Sequence, residues 1–249
     1  MKLSAPVHEL KSRAKEIKSS RKITMIEALD QVARSEGFSS WSLLQSRVNE
    51  SQPRSRKDVL GYLNPGDLML IGARPGLGKT RFALEILAQA LGEGRRGYFF
   101  SLEYSASEME SRIANIRKEM AVAEIAGDYF SVDLSDDISA SYIMETTKET
   151  ISSGSVIVVD YLQLLDQKRS NPEVKVQVET LKAYAKDKKC IIVFISQLDR
   201  RYDAEGETLP QVKDVRMPNE FDVDLMNKLL LFHQGKQFCV KPAVFELGA

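Results

Sequence analysis

The nine residues Gly72-Ala73-Arg74-Pro75-Gly76-Leu77-Gly78-Lys79-Thr80 lie between an apolar run, Leu68-Met69-Leu70-Ile71, and a helical pattern, Phe82-Ala83-Leu84-Glu85-Ile86-Leu87. Strand, glycine-rich turn and helix in that order is the setting a phosphate-binding loop requires. Gly76 and Gly78 let the main chain come close to an anion, so that loop N–H groups and the helix N-terminus face it. Lys79 is expected to reach the β- and γ-phosphates, and Thr80 to give its hydroxyl to Mg²⁺. Ala73, Arg74, Pro75 and Leu77 complete the loop. Ala73 stands where the strict pattern has Gly, a small-residue variant. The competing reading is a chance glycine-rich turn, and the flanking strand and helix weigh against it.

Further along the chain the same alternation recurs. Tyr98 to Ser101, Tyr129 to Val132, Val156 to Val159 and Ile191 to Ile195 are apolar runs without clean alternation, as expected of strands covered on both faces. Ser105-Ala106-Ser107-Glu108 reads as a capping box opening a helix through Met109, Ile113 and Ile116. Asn171-Pro172 is expected to open another, with Val174, Val178, Leu181 and Ala185 on one stripe. Strand and helix in turn predict an α/β fold with a mostly parallel twisted sheet and helices on both faces.

In such a sheet the carboxyl ends of the strands line the ligand crevice. Three polar residues fall there. Asp160 ends Val156-Ile157-Val158-Val159, where a carboxylate can hold Mg²⁺ together with Thr80. Glu103 follows the run ending at Leu102 and could orient an attacking water as general base, or simply be a surface residue at a helix entry. Gln197 follows Ser196 and could sense the γ-phosphate; alone it would signify nothing.

The first fifty residues differ in kind. Ile26, Leu29, Val32 and Ala33 recur at helical spacing up to Gly37, and a Ser-Ser start leads through Trp41, Leu43, Leu44 and Val48. Trp41, the single tryptophan, is expected to anchor this small core. Residues 1–50 are therefore read as a small basic helical segment, 51–56 as a linker with a proline and no periodicity, and 57–249 as the α/β domain. Residues 1–57 hold 12 Lys/Arg against 6 Asp/Glu, and the remainder 23 against 29, so a net charge of zero conceals a basic arm on an acidic body. That polarity suits nucleic acid or an acidic neighbour, or simply two solvated lysine-rich helix faces.

Composition bounds the rest. At 43% hydrophobic and 28% charged, the chain has the make-up of a globular protein, neither disordered nor fibrous. Its apolar runs, such as Cys190 to Ile195, are well short of the roughly 18 residues that span a bilayer. No secretory signal is expected at Met1 to Lys11, and Cys190 and Cys239 lack metal-like spacing. His8 and His233 are too far apart in sequence to suggest a metal pair, and His233 is expected to end a strand. A cytoplasmic protein with no membrane partner is the expectation.

Taken together, Gly72 to Thr80, Phe99-Phe100-Ser101-Leu102-Glu103-Tyr104-Ser105, Asp160-Tyr161-Leu162-Gln163-Leu164, Ser196-Gln197-Leu198-Asp199-Arg200 and Asp214-Val215-Arg216 resemble the ATPase domain of DnaB-type replicative helicases. They come in that family's order and cover roughly Leu60 to Phe232. The resemblance implies a RecA-like P-loop fold and ATP-driven movement on single-stranded DNA by a ring of subunits. It makes Lys79 and Thr80 the phosphate and magnesium ligands, Glu103 the catalytic glutamate, Asp160 the magnesium-site aspartate and Gln197 the sensor glutamine. The chain departs from the family in two places. The family's Lys-x-Arg element, whose Arg completes the neighbouring subunit's site, has as its closest counterpart Lys241-Pro242-Ala243, without an arginine. The family's larger N-terminal helical domain is replaced by the basic segment, a candidate docking element for a copy of the chain or another protein.

DNA contact is expected in the loop from Asp199 to Lys213, where Arg200, Arg201 and Lys213 stand beside Tyr202, although Asp199, Asp203, Glu205 and Glu207 leave its net charge slightly negative. A plain surface loop is the alternative there. Tyr161 is expected to pack under the phosphate loop, and Arg216 to pair with an acidic group near the nucleotide. Three functions follow: a helicase-type ATPase, a nucleotide-binding accessory or regulatory relative with little activity of its own, and, more distantly, a recombination- or clock-type ATPase of the same fold.

Overall fold

The computed structural model describes residues 4, 7–50, 55–122, 129–199, 210, 211, 214–216, 222–234, 236–241 and 245–247. Three helices come first: α1 (Val7–Arg21), α2 (Met25–Ser35) and α3 (Trp41–Glu50). Thr24 caps α2 with a capping box to Glu27, and Gly37, at φ +86°, takes the left-handed turn that separates α2 from α3. Leu10, Ala14, Ala28, Val32, Ala33, Trp41 and Leu44 form a hydrophobic cluster confined to these helices.

From residue 55 onward the chain alternates as the sequence predicts. Its elements are α4 (Val59–Tyr62), β1 (Leu68–Ala73), α5 (Lys79–Gly92), β2 (Gly97–Ser101), α6 (Ala106–Glu119), β3 (Phe130–Asp133), α7 (Ala140–Thr147), β4 (Val156–Asp160), α8 (Val174–Lys188), β5 (Ile191–Gln197), β6 (Lys228–His233), β7 (Lys236–Lys241) and β8 (Phe245–Glu246). They build one sheet in the order β3-β2-β4-β5-β1-β6-β7-β8. Every pairing from β3 through β6 is parallel, and β7 and β8 are added antiparallel at one edge.

The missing alternation in the strand sequences has a simple cause. Met69, Ile71, Val156, Val158, Ile191, Val193 and Ile195 point to one face and pack with Phe82, Leu87, Met109 and Ile113 of α5 and α6. Leu68, Leu70, Ile157, Val159, Ile192 and Phe194 point to the other and pack with Ile143, Val178 and Leu181 of α7 and α8. Both residues of each strand period are apolar because both faces are roofed by helices.

Two expectations shift. The run at Tyr129 is only partly buried, because β3 lies at the sheet edge, and the strand itself begins at Phe130. The helix expected from Asn171-Pro172 begins at Val174 with Glu173 as its cap, and the Pro172 carbonyl instead accepts from Gln177 Nε2 at 2.7 Å. The capping box at Ser105 forms as read. Among the described residues no helix is long and apolar enough to cross a membrane.

Candidate functional site

The strand order brings four carboxyl ends side by side. In register, Ser101 of β2 lies opposite Asp160 of β4, Asp160 opposite Ile195 of β5, and Gln197 of β5 opposite Ala73 of β1. Residues scattered from 73 to 197 in sequence thereby converge on one crevice beside the loop that joins β1 to α5.

That loop is shaped for an anion. Gly76 and Gly78 sit at φ +80° and +81°. A Cβ at either would meet nothing within 4 Å, so glycine is needed there for its backbone conformation. Gly78 caps α5 without offering a side-chain hydrogen bond, which leaves the first amides of the helix turned to the crevice with the positive end of the helix dipole behind them. Lys79 is buried, its Nζ resting 5.0 Å from the centroid of the Tyr161 ring. Tyr161 therefore lies under the phosphate-loop lysine, as its position in the sequence suggested.

The second half of the site is a hydroxyl–carboxylate pair. Thr80 Oγ1 donates to Asp160 Oδ2 at 2.9 Å. The other oxygen, Oδ1, is buried and has no hydrogen-bond partner. Burial pushes the Asp160 carboxyl up to about 6, the Thr80 hydrogen bond and the Lys79 cation pull it down, and the nearby Glu103 carboxylate adds to the rise. A buried carboxylate oxygen without a donor is costly, and a divalent cation satisfies it. An oxygen pair from one carboxylate and one hydroxyl, with room left for waters and phosphate oxygens, matches the hard-ligand preference of Mg²⁺. The residues present fit the metal.

Glu103 is exposed at the mouth of the crevice, its N–H donating to Ser101 Oγ at 3.1 Å. Tyr161 lies between the two flanks: its phenol is pushed up first by burial and then by the nearby Glu103, with Gln197 acting the other way. The strand-end residues Glu103, Asp160 and Gln197, together with Lys79 and Thr80, thus gather at one crevice. Sequence reading placed Tyr161 as packing only. Its place between Glu103 and Gln197 depends on a strand order that spacing does not reveal.

Beyond Gln197 the chain is pinned before it leaves the sheet. Leu198 N donates to the Ala73 carbonyl at 3.0 Å, and Leu198 bridges to Val215. Ser196 Oγ and Gln163 Nε2 both donate to the Arg216 carbonyl, at 3.0 and 2.9 Å. A cavity of about 460 Å³ opens here, lined by Pro75, Gln197, Leu198, Asp199 and Arg216. The expected DNA-contact residues Arg200, Arg201, Tyr202 and Lys213, and Pro242 and Ala243 after β7, lie outside the described residues. Lys241 is described: its Nζ donates to Asp224 Oδ1 at 2.9 Å and to the Val223 carbonyl at 3.3 Å.

Comparison with known proteins agrees with this geometry. Residues 57–150 and 117–233 match the family model of the DnaB-like helicase C-terminal domain. A probable plasmid replicative DNA helicase of Chlamydia trachomatis is 29% identical over 225 residues, 78% of this chain and 49% of the relative. The replicative DNA helicase DnaB of Geobacillus stearothermophilus is 26% identical over 186 residues, 64% of this chain and 41% of the relative. The chain spans about half the length of the curated relatives it matches. Among solved structures, an isolated ATPase domain superposes with a TM-score of 0.60 at 17% identity, covering 82% of this chain and 91% of its own. A DnaB-like replicative helicase, described with its interactions with primase, gives 0.60 at 16% identity over 96% of this chain and 72% of its own. At these identities the structural likeness speaks for the RecA-like fold alone.

Proposed function

The chain belongs to the DnaB-like helicase C-terminal domain family, and from that premise we propose that residues 57–249 are a RecA-like motor ATPase that hydrolyses ATP with Mg²⁺ and acts on single-stranded DNA as part of a ring of subunits. The observation that carries this reading is the Thr80–Asp160 hydrogen bond, with a buried, unpartnered Asp160 Oδ1 beside an uncapped helix N-terminus.

In this reading the amides of residues 76–80 and the Lys79 ammonium bind the phosphate tail and hold it in line for attack. Thr80 and Asp160 hold Mg²⁺, which when bound neutralises charge developing between the β- and γ-phosphates. Glu103 orients a water and takes its proton as the water oxygen bonds to the γ-phosphorus and the bond to ADP breaks. Gln197 meets the γ-phosphate and passes its loss to the loop that begins at Leu198, where Arg200, Arg201 and Lys213 are the proposed DNA contacts. Residues 1–50 are proposed as a separate basic unit joined through 51–56; their private hydrophobic cluster supports that division.

One observation favours the second reading, a nucleotide-binding accessory protein with weak or partner-dependent turnover. The finger position carries no arginine, and Lys241 nearby is engaged by Asp224 and Val223. Steady-state ATP turnover with and without Mg²⁺ and single-stranded DNA, in wild type, Lys79→Ala and Glu103→Gln, separates the two. DNA-stimulated, Mg²⁺-dependent turnover that both variants lose supports the motor; nucleotide binding with turnover indifferent to DNA supports the accessory protein.

A further inference from the structure

Helix α1 carries two parallel stripes. Leu10 and Ala14 are buried and Ile17 half-buried against α2 and α3, on positions four and three apart. Rotated one residue round the helix, Lys11, Lys15 and Lys18 repeat the same spacing on the outside, and Lys22 follows just past the last turn, where the chain leaves the helix at φ +52°. All four are exposed, and none is in an ion pair among the described residues. Glu16, the acid among the described side chains of α1, lies three residues on from Arg13, off the lysine stripe. At 1.5 Å rise per residue the helical part of the stripe, Lys11 to Lys18, runs about 10 Å.

We propose that this lysine stripe is a second nucleic-acid contact, one that grips the phosphate backbone without reading bases and does so whether or not nucleotide is bound. It goes beyond the motor reading, which places DNA contacts in the loop after β5. Four unpaired cations, three of them held along a helix whose other side is fixed in a hydrophobic core, are already spaced along a line and give up no ion pair on meeting phosphates. A duplex presents about one charge per 1.7 Å of its axis, so even about 10 Å of it offers enough phosphates for four lysines.

The competing anion, the acidic body of a second copy, is less suited. Some of its carboxylates are already paired: Glu85 with Arg56 and Arg81, Glu119 with Arg81, Glu93 with Arg95, Asp137 with Lys168, Asp224 with Lys241. Nor does a repeating carboxylate row matching the lysine spacing occur in those pairs.

The test uses the full chain without nucleotide and measures binding to a labelled 30-nucleotide single strand and to the corresponding 30-base-pair duplex across a salt series. The variant carries Lys11, Lys15, Lys18 and Lys22 all changed to Gln. A control changes Lys118, Lys148, Lys175 and Lys186 to Gln, the same loss of charge on exposed body positions. Circular dichroism checks that each folds, and mass measurement follows self-association. The expected result is a loss of tenfold or more in affinity at low salt for the stripe variant, with the salt slope reduced by about 3, since each phosphate contact contributes about 0.7 on single strands and 0.9 on duplex. Which of the two oligonucleotides shows the larger change identifies the backbone gripped. DNA-stimulated ATP turnover of the stripe variant at saturating DNA is expected to match wild type, so absence of stimulation in both proteins would sink the motor reading and leave this one standing. An unchanged slope, an equal loss in the control, or a change in self-association with DNA affinity intact would each overturn the proposal.

Discussion

Thr80 Oγ1 and Asp160 Oδ2, 80 residues apart in the chain, are 2.9 Å apart in space, and the second oxygen of the same carboxyl is buried with nothing to accept from. The pair is assembled by neighbouring elements: Thr80 by the first turn of α5, Asp160 by the last position of β4. Such a site is held ready at a cost to the metal-free fold.

That cost predicts the effect of Asp160→Asn. The folded carboxyl titrates at about 6 against 3.8 for an ordinary one. The folded state therefore binds the extra proton between those values, and the penalty of a buried charge is absent below 3.8 and fully present above 6. Metal-free wild type loses stability as pH rises through this window, and the asparagine variant does not. Urea denaturation without Mg²⁺ is expected to show the variant gaining on wild type from pH 4 to 6 and levelling at ~1–3 kcal/mol, while Mg²⁺-dependent turnover is lost. A stability difference that stays flat with pH would rule out the charge-burial account.

Glycines of the same chain are expected to respond in opposite directions. Gly78→Ala puts a Cβ on a residue at φ +81°, which costs about 1–2 kcal/mol although the space around it is open. Because the strain is relieved only by moving the loop, affinity for a fluorescent ATP analogue is expected to fall at least tenfold. Gly61→Ala, in the exposed part of α4 with open space and no positive φ, is expected to stabilise by about 0.5–1 kcal/mol and leave nucleotide binding alone. Equal effects at the two positions would mean that loop conformation does not govern the site.

The Cys190 thiol is buried and pushed up to about 12 by that burial. At pH 8 it is protonated and out of reach, so iodoacetamide is expected to leave it unmodified in native protein, as judged by mass spectrometry, and to modify it fully in urea. Rapid native labelling would show that the β5 end of the sheet opens locally.

The phosphate loop, Asp160, Glu103 and Gln197 were legible because each rests on local chemistry: a glycine pair before a helix, or a polar residue ending an apolar run. The two-faced core was legible for the same reason, since missing alternation is itself a local signal. Strand order was not, because β2, β4, β5 and β1 become neighbours through crossovers of different lengths, and no residue within a strand records which strand lies beside it. The place of Tyr161 between Glu103 and Gln197 depends wholly on that order. Arg56 escaped for a related reason. It closes a polar, aperiodic stretch in sequence, yet it pairs with Glu85 at 2.8 Å and lies over the Phe82 ring. The capping box at Thr24 went unread, although Thr24 and Glu27 stand three residues apart before an apolar stripe.

That capping box and Trp41 supply a test of whether the first fifty residues stand as a unit. Trp41 is the single tryptophan and is 7% exposed within the cluster of α1 to α3, so its fluorescence reports that cluster and no other part of the chain. A core of seven residues is small beside the two that sandwich the sheet, and small cores unfold first. Trp41 emission is therefore expected to shift at lower urea than the far-ultraviolet circular dichroism, which the larger domain dominates. Thr24→Ala removes the hydroxyl that accepts from Glu27 N, a loss of about 1 kcal/mol, and is expected to move the fluorescence transition to lower urea while leaving the second in place. Coincident transitions that move together in the variant would mean that the helices and the sheet fold as one cooperative body.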